Sequence, residues 1–112
     1  MEIYAFDPEK RSYILMALIN ETIMCKRNSN MLTAKKLHLT TQMVASDSTL
    51  DEEQLVLIES ALTNTANRRD LIGARNDANK MREIALMVKR IKSEREGKWM
   101  AKYFERSQEG IA

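Results

Sequence analysis

The chain has 112 residues, a length that suits one domain with a single small core and excludes two independent domains. Hydrophobic residues make up 44% and charged residues 30%, with a net charge of +2, a balance typical of chains that fold rather than of disordered ones. Three Gly, one Pro and 5% aromatic residues are too few for a turn-rich sandwich or barrel, so residues 1–112 are predicted to form a single all-α domain.

Cysteine content and the first residues bear on the compartment. The single Cys25 cannot close an intrachain disulfide, whereas small secreted domains commonly depend on several. Residues 1–7 lack the basic leader of a signal peptide, and the longest apolar run, residues 13–19, is far shorter than the roughly 20 residues that span a bilayer. We therefore expect a cytoplasmic protein with no membrane partner.

The first helix is predicted to begin at Pro8 with Asp7 as its N-cap. Proline suits the first helical position, and an Asp side chain accepts from a free N–H group of the first turn. Leu15, Ile19 and Ile23 recur every four residues within an apolar stretch. This stretch is expected to lie at the centre of the core.

The polar residues 26–30 interrupt this apolar pattern, which returns from Met31 onward. The pattern is compatible with one helix over residues 8–45 or with two helices separated near residues 28–30. We favour the break, because Asn and Ser readily bond their own backbone outside helices.

Residues 46–48 are the clearest linker, and residues 49–52 have the form of a capping box in which Thr49 accepts from the N–H of Glu52. The apolar stripe of the helix that follows consists of Leu55, Ile58, Leu62 and Ala66. A polar stretch and Gly73 then predict a kink or short break within residues 64–73.

The last helix has the most regular pattern, and Gly97 is expected to end or bend it. The predicted fold is therefore a small bundle of three to five helices with a long C-terminal amphipathic helix. Because the apolar stripe of this helix is longer than the rest of a short chain is expected to cover, we predict a homodimer that buries it between two chains. The predicted interface residues are Met81, Ala85, Val88 and Ile91.

Four large apolar residues near the C-terminus form i, i+4 pairs, Trp99 with Tyr103 and Met100 with Phe104. Aromatic residues and Met are enriched in binding hot spots, so these four are further candidates for a protein interface. The alternative is that they close the end of the chain's own core.

Residues able to carry out catalysis are scarce. His38, the only histidine, would lie about 20 Å from Cys25 along one continuous helix, too far for a nucleophile pair. A zinc site needs four Cys or His ligands, and the three glycines form no phosphate-binding loop. We therefore predict no catalytic residue, no metal, no cofactor and no enzymatic activity.

Residues 31–46 resemble a helix-turn-helix motif. In that family a small residue lets two helices cross closely, apolar residues fill the core beneath the turn, and a hydroxyl residue begins the recognition helix. These roles would fall to Ala34, to Leu37, Leu39 and Val44, and to Thr40, with His38 in the turn. The resemblance implies base contacts from Thr41, Gln42 and Ser46 and phosphate contacts from Lys35 and Lys36.

A basic stripe is predicted from four residues that repeat every seven positions, Arg68, Arg75, Arg82 and Lys89. The stripe either follows nucleic-acid phosphates or flanks a helix–helix contact. In the second case its partners are the acids Asp51, Glu52, Glu53 and Glu59. We favour the second, because acidic residues interrupt the positive field and no aromatic residues lie between the arginines.

The function that these patterns favour is a non-enzymatic protein–protein interaction module, a small adaptor, regulator or inhibitor of the kind that bacteria and phages encode. It would act through a helical, dimeric interface and bind a further protein partner. The alternative is a helix-turn-helix transcriptional regulator that binds DNA through residues 31–46 and dimerises through its last helix.

Overall fold

The protein is a bundle of four helices, as shown by a computed structural model that describes the backbone of residues 6–111 and the side chains of residues 6–97. The helices are α1 (Pro8–Arg27), α2 (Met31–Ala45), α3 (Glu52–Leu71) and α4 (Arg75–Ile111). The prediction of an all-α bundle with a long last helix is confirmed, since α4 has 37 residues against 15 to 20 in the others.

Both predicted features of the α1 boundaries are confirmed. The Asp7 side chain accepts from the backbone N–H of Lys10 at 2.8 Å, and Pro8 is the first helical residue. At the other end Ser29 takes a positive φ of 59°, and the Asn30 side chain accepts from the N–H of Thr33 to begin α2. The break at residues 28–30 therefore reverses the chain and forms an α1–α2 hairpin.

The capping box of α3 lies two residues later than predicted. Asp51 accepts from the N–H of Gln54 at 2.8 Å, and the Gln54 side chain accepts from the N–H of Asp51 at 2.9 Å. The predicted box at Thr49 and Glu52 is wrong because Asp51 caps equally well. The later start also leaves Leu50 outside the helix, where it is buried.

A second hairpin is formed by α3 and α4 around Gly73, whose φ of 83° confirms the predicted break and suits glycine. The antiparallel course is marked by contacts that run from the turn outward, Arg82 with Asp70, Lys92 with Glu59, and Arg95 with the Leu50 carbonyl. Beyond this point α4 continues through Gly97, so the predicted end at that glycine is wrong.

The prediction that a second chain must cover the α4 stripe is wrong. Met81 and Val88 are fully buried and Ala85 and Ile91 nearly so, all within one chain. The buried side chains of α3 that share this core include Leu55, Ile58 and Leu62. Because α3 lies antiparallel to the first half of α4, α3 covers the stripe as far as Ile91. The side chains of Trp99, Met100, Tyr103 and Phe104 lie outside the described residues.

Candidate binding surface

The largest uncovered apolar feature of α1 consists of Met16, Ile19 and Ile23, here called the α1 ridge. These side chains are 38%, 51% and 46% exposed, and their spacing of three and four residues places them on one face of the helix. The opposite face, with Ile14, Ala17 and Leu18 completely buried, packs into the core. The predicted core centre is confirmed for Ile14, Ala17 and Leu18, whereas Ile19 and Ile23, which the predicted stripe also included, are exposed.

Interhelical polar contacts set this orientation of α1. Arg68 of α3 donates to Asn20 Oδ1 and Glu21 Oε2, and Tyr13 donates to Asp77 Oδ1 of α4 at 3.0 Å. Successive helical residues differ by about 100° in direction, so Ile19 lies away from α3 when Asn20 and Glu21 lie toward it. The ridge faces solvent because the residues beside it are bonded to the second hairpin.

An open depression of about 430 Å³ runs along the α1 ridge. Besides the three ridge side chains it is lined by Ser12, Leu15, Asn20 and Arg69. Leu15 is half-buried and packs against the core, which gives the depression an apolar floor. The surface thus combines apolar area with a small number of polar groups at its border, as binding grooves do.

The border of the ridge carries positive charge. Arg69 places Nη2 3.5 Å from Sδ of Met16, and Lys26 and Arg27 are exposed one turn beyond Ile23. The two acids of α1 are both paired, Glu21 with Arg68 at 2.8 Å and Glu9, at the other end of the helix, with Lys80 of α4. The charge available to a ligand at this surface is therefore positive.

Outside α1, exposed apolar side chains occur singly or as two consecutive pairs, Met31 with Leu32 and Leu71 with Ile72. Consecutive helical residues point about 100° apart, so neither pair forms a row along one face. Leu32 and Leu39 of α2 stand one heptad apart, but the exposed Lys35 and Lys36 lie between them. Leu86 is a single exposed side chain among polar neighbours on α4. Such isolated residues are common on protein surfaces, whereas a contiguous row is not.

The helix-turn-helix resemblance is contradicted, because α2 is one continuous helix and His38 lies in its middle. The predicted start of a recognition helix, Thr40, is buried and donates to the carbonyl of Lys36 four residues earlier. Thr41 donates in the same way to Leu37. Both hydroxyls thus donate to carbonyl groups within α2, so neither acts as an N-cap.

The residues predicted to contact DNA all lie on the single helix α2 or at its C-cap, so they are not divided between two helices of a motif. Gln42 and Ser46 are exposed, and Gln42 bonds to His38 at 3.3 Å. Lys36 pairs with Glu53 of α3 at 2.8 Å, while Lys35 is exposed.

The predicted basic stripe is divided by the turn at residues 72–74, since Arg68 belongs to α3 and the other three residues belong to α4. Arg82 bonds to Asp70, and Arg75 and Lys89 are exposed. The predicted pairing of the stripe with Asp51, Glu52, Glu53 or Glu59 is wrong for its bonded members, Arg68 and Arg82. The charge of Glu59 is matched instead by Lys92.

In the described part of the chain, two features bear on chemistry: the state of the Cys25 thiol and the placement of metal-ligating side chains. Burial raises the pKa of the Cys25 thiol, with the nearby Glu21 carboxylate acting in the same direction, so the thiolate is disfavoured. No group of three or more His, Cys, Asp or Glu side chains is positioned there to hold a metal ion. Hydrogen bonding to Asp77 raises the pKa of Tyr13, a contact that joins α1 to α4.

Comparison with protein-family models, with curated protein sequences and with solved structures finds no significant match. Across the described helices, none has both the length and the hydropathy of a membrane-spanning segment. The α1 ridge is the surface that sequence reasoning missed. A signal was present in the sequence, because residues 13–19 are apolar around the whole helix and one face of a helix in a small bundle meets solvent.

Proposed function

We propose that the chain is a non-enzymatic protein-interaction domain, a small adaptor, regulator or inhibitor, that binds its partner through the α1 ridge. The observation that carries this proposal is the row of Met16, Ile19 and Ile23 on the outer face of α1. Burying the exposed part of each of these side chains would contribute on the order of 1 kcal/mol to binding.

The position of the ridge supports binding without unfolding. The core beneath it is closed by Ile14, Ala17 and Leu18, and α1 is anchored through Tyr13 and Arg68. A partner would therefore meet a preformed surface, and no ordering of the backbone would oppose binding. The α4 stripe offers no such surface, because exposing it would require α3 and α4 to separate.

A comparison of copurifying proteins tests this proposal. The tagged wild-type protein, expressed in its native cells, is compared with a double variant, Ile19→Asp with Ile23→Asp, and with Leu86→Asp as a matched control. All three sites are exposed, so the variants should fold, which circular dichroism verifies. We expect a stoichiometric partner to copurify with wild type and the Leu86 variant but not with the double variant. The same result for all three proteins would contradict a role for the ridge.

A further inference from the structure

We infer that the α1 ridge binds an amphipathic helix whose apolar side chains are flanked by Asp and Glu residues. This inference rests on the proposed function and adds the secondary structure and the charge of the partner. Three properties of the surface lead to it: the hydrogen bonding of α1, the length of the ridge, and the charge at its border.

A helix is the partner that the backbone of α1 permits. The N–H and C=O groups of α1 are used within the helix, so no edge is available for an added strand. Met16 and Ile23 lie seven residues apart, which is about 10 Å or two helical turns. Side chains repeating every three or four residues form a row that fits between the rows of a second helix. The geometry therefore matches two to three turns of a partner helix.

The positive charge at the border of the α1 ridge favours a partner helix with acidic residues beside its apolar row. Arg69 lies beside Met16, and Lys26 and Arg27 follow Ile23 on the next turn. Glu21 is held by Arg68 and does not neutralise them. A partner helix with carboxylates beside its apolar row would pair with these cations, whereas a basic helix would be repelled.

A second copy of this chain fits the surface less well. Its ridge would bring the same three cations to the contact. The C-terminal residues 98–106 carry three cations, Lys98, Lys102 and Arg106, against one acid, Glu105, so their net charge is also of the wrong sign.

A lipid surface is the other occupant that apolar and cationic residues could attract. Helices that lie in a membrane interface present a broad apolar face. The α1 ridge is one side chain wide, and polar Ser12 and Asn20 border the depression along it. A narrow row suits a second helix better than a bilayer.

Two matched peptides test the inference. Each is a fluorescein-labelled helix of about 16 residues, long enough to be partly helical, with Leu at every third or fourth position. One carries Glu and the other Lys at the flanking positions. Fluorescence anisotropy with the full chain is expected to show about tenfold tighter binding of the Glu peptide at low salt. The difference should shrink as the salt concentration rises from about 50 to 500 mM.

Charge reversal on the protein provides the decisive comparison. Arg27→Glu with Arg69→Glu should reverse the preference between the two peptides. Lys89→Glu with Arg90→Glu makes the same change in net charge at exposed sites on α4 and should leave the preference unaltered. If the first double variant does not fold, a triple variant, Lys26→Gln with Arg27→Gln and Arg69→Gln, replaces it and should give the two peptides equal affinity.

The possible failures can be told apart from failure of the proposed function. Equal binding of both peptides, lost in Ile19→Asp with Ile23→Asp, would overturn the acidic flanks while leaving the ridge as the binding surface. Absence of binding by either peptide, with the copurifying partner still lost in the same double variant, would overturn the helical partner alone. Sedimentation could show a wild-type dimer that is lost in this variant, which would assign the ridge to a second copy. Wild type could instead bind phosphatidylserine vesicles and the variant not, which would assign the ridge to a membrane. Either result would overturn the inference.

Discussion

Arg68 of α3 donates from Nη2 to Oδ1 of Asn20 at 2.7 Å and to Oε2 of Glu21 at 2.8 Å, so one guanidinium joins two consecutive residues of α1. Its Nε also donates to Asn20, and Thr65 contributes a third side chain at 3.2 Å. The α1–α2 hairpin is therefore attached to the α3–α4 hairpin by a polar contact beside the core. Because Asn20 and Glu21 face α3, the same contact directs Ile19 toward solvent.

Arg68→Ala should destabilise the protein by about 1 to 3 kcal/mol, because the largely buried Glu21 carboxylate and the Asn20 amide would lose their charged donor. About a third of the Arg68 side chain is exposed, so solvent screening places the effect toward the lower end. Urea unfolding followed by circular dichroism measures it. Arg75→Ala, at an exposed site, serves as the control and should change the free energy of unfolding by less than about 0.5 kcal/mol. Equal effects of the two substitutions would refute the role of Arg68.

Local signals in the sequence predicted the start of α1 and the breaks after α1 and α3, but they misplaced the start of α3 and the end of α4. Long-range contacts were predicted poorly. Asp7, Pro8 and the residues around Asn28 act through their own backbone and its nearest neighbours, so their role is legible without tertiary structure. The buried face of α1 is different. Residues 13–19 are apolar on all sides, and whether Leu18 or Ile19 is buried depends on contacts of Tyr13 and Arg68 with distant residues.

The same limit explains the error about α4. Its apolar stripe is real, but periodicity identifies a buried face without naming what buries it. The short turn at Gly73 places α3 antiparallel to α4, and α3 covers the stripe. The likeness of residues 31–46 to a helix-turn-helix failed for a related reason, because His38 and the two threonines that follow are all compatible with an unbroken helix.

Met81→Ala should cost about 2 to 5 kcal/mol, because the side chain is completely buried in the core formed with α3 and the substitution leaves a cavity. Leu86→Ala removes a side chain of similar size from a site that is 60% exposed, and its effect should stay within about 0.5 kcal/mol. Chemical denaturation at two protein concentrations distinguishes this account from a dimer. A wild-type unfolding midpoint that falls on dilution, with a smaller concentration dependence in the Met81 variant, would indicate that the residue lies between chains.

The N-cap of α1 predicts a loss of stability in acid. The side chain and the backbone N–H of Lys10 both donate to Asp7 and lower its pKa below the ordinary value of 3.8. A carboxyl whose pKa is lower in the folded than in the unfolded state contributes stability above the unfolded value, and this contribution disappears as the pH falls through the folded value. The advantage of wild type over Asp7→Asn, measured by thermal melting, should therefore be present at neutral pH and shrink below about pH 4. Glu96→Gln, at an exposed site inside α4, is the control, and an Asp7→Asn difference independent of pH would contradict the assignment.

Two glycine substitutions should change the free energy of unfolding in opposite directions, although an added Cβ meets no atom within 4 Å at either site. Gly73 has a φ of 83°, a conformation that costs an L-residue about 1 to 2 kcal/mol, so Gly73→Ala should destabilise the α3–α4 hairpin. Gly97 lies inside α4, where Ala has a helix propensity higher by about 1 kcal/mol and also reduces the entropy of the unfolded chain. Gly97→Ala should therefore raise the free energy of unfolding by up to that amount. Melting curves of both variants against wild type give the two signs directly, and destabilisation by Gly97→Ala would contradict a continuous helix at that position.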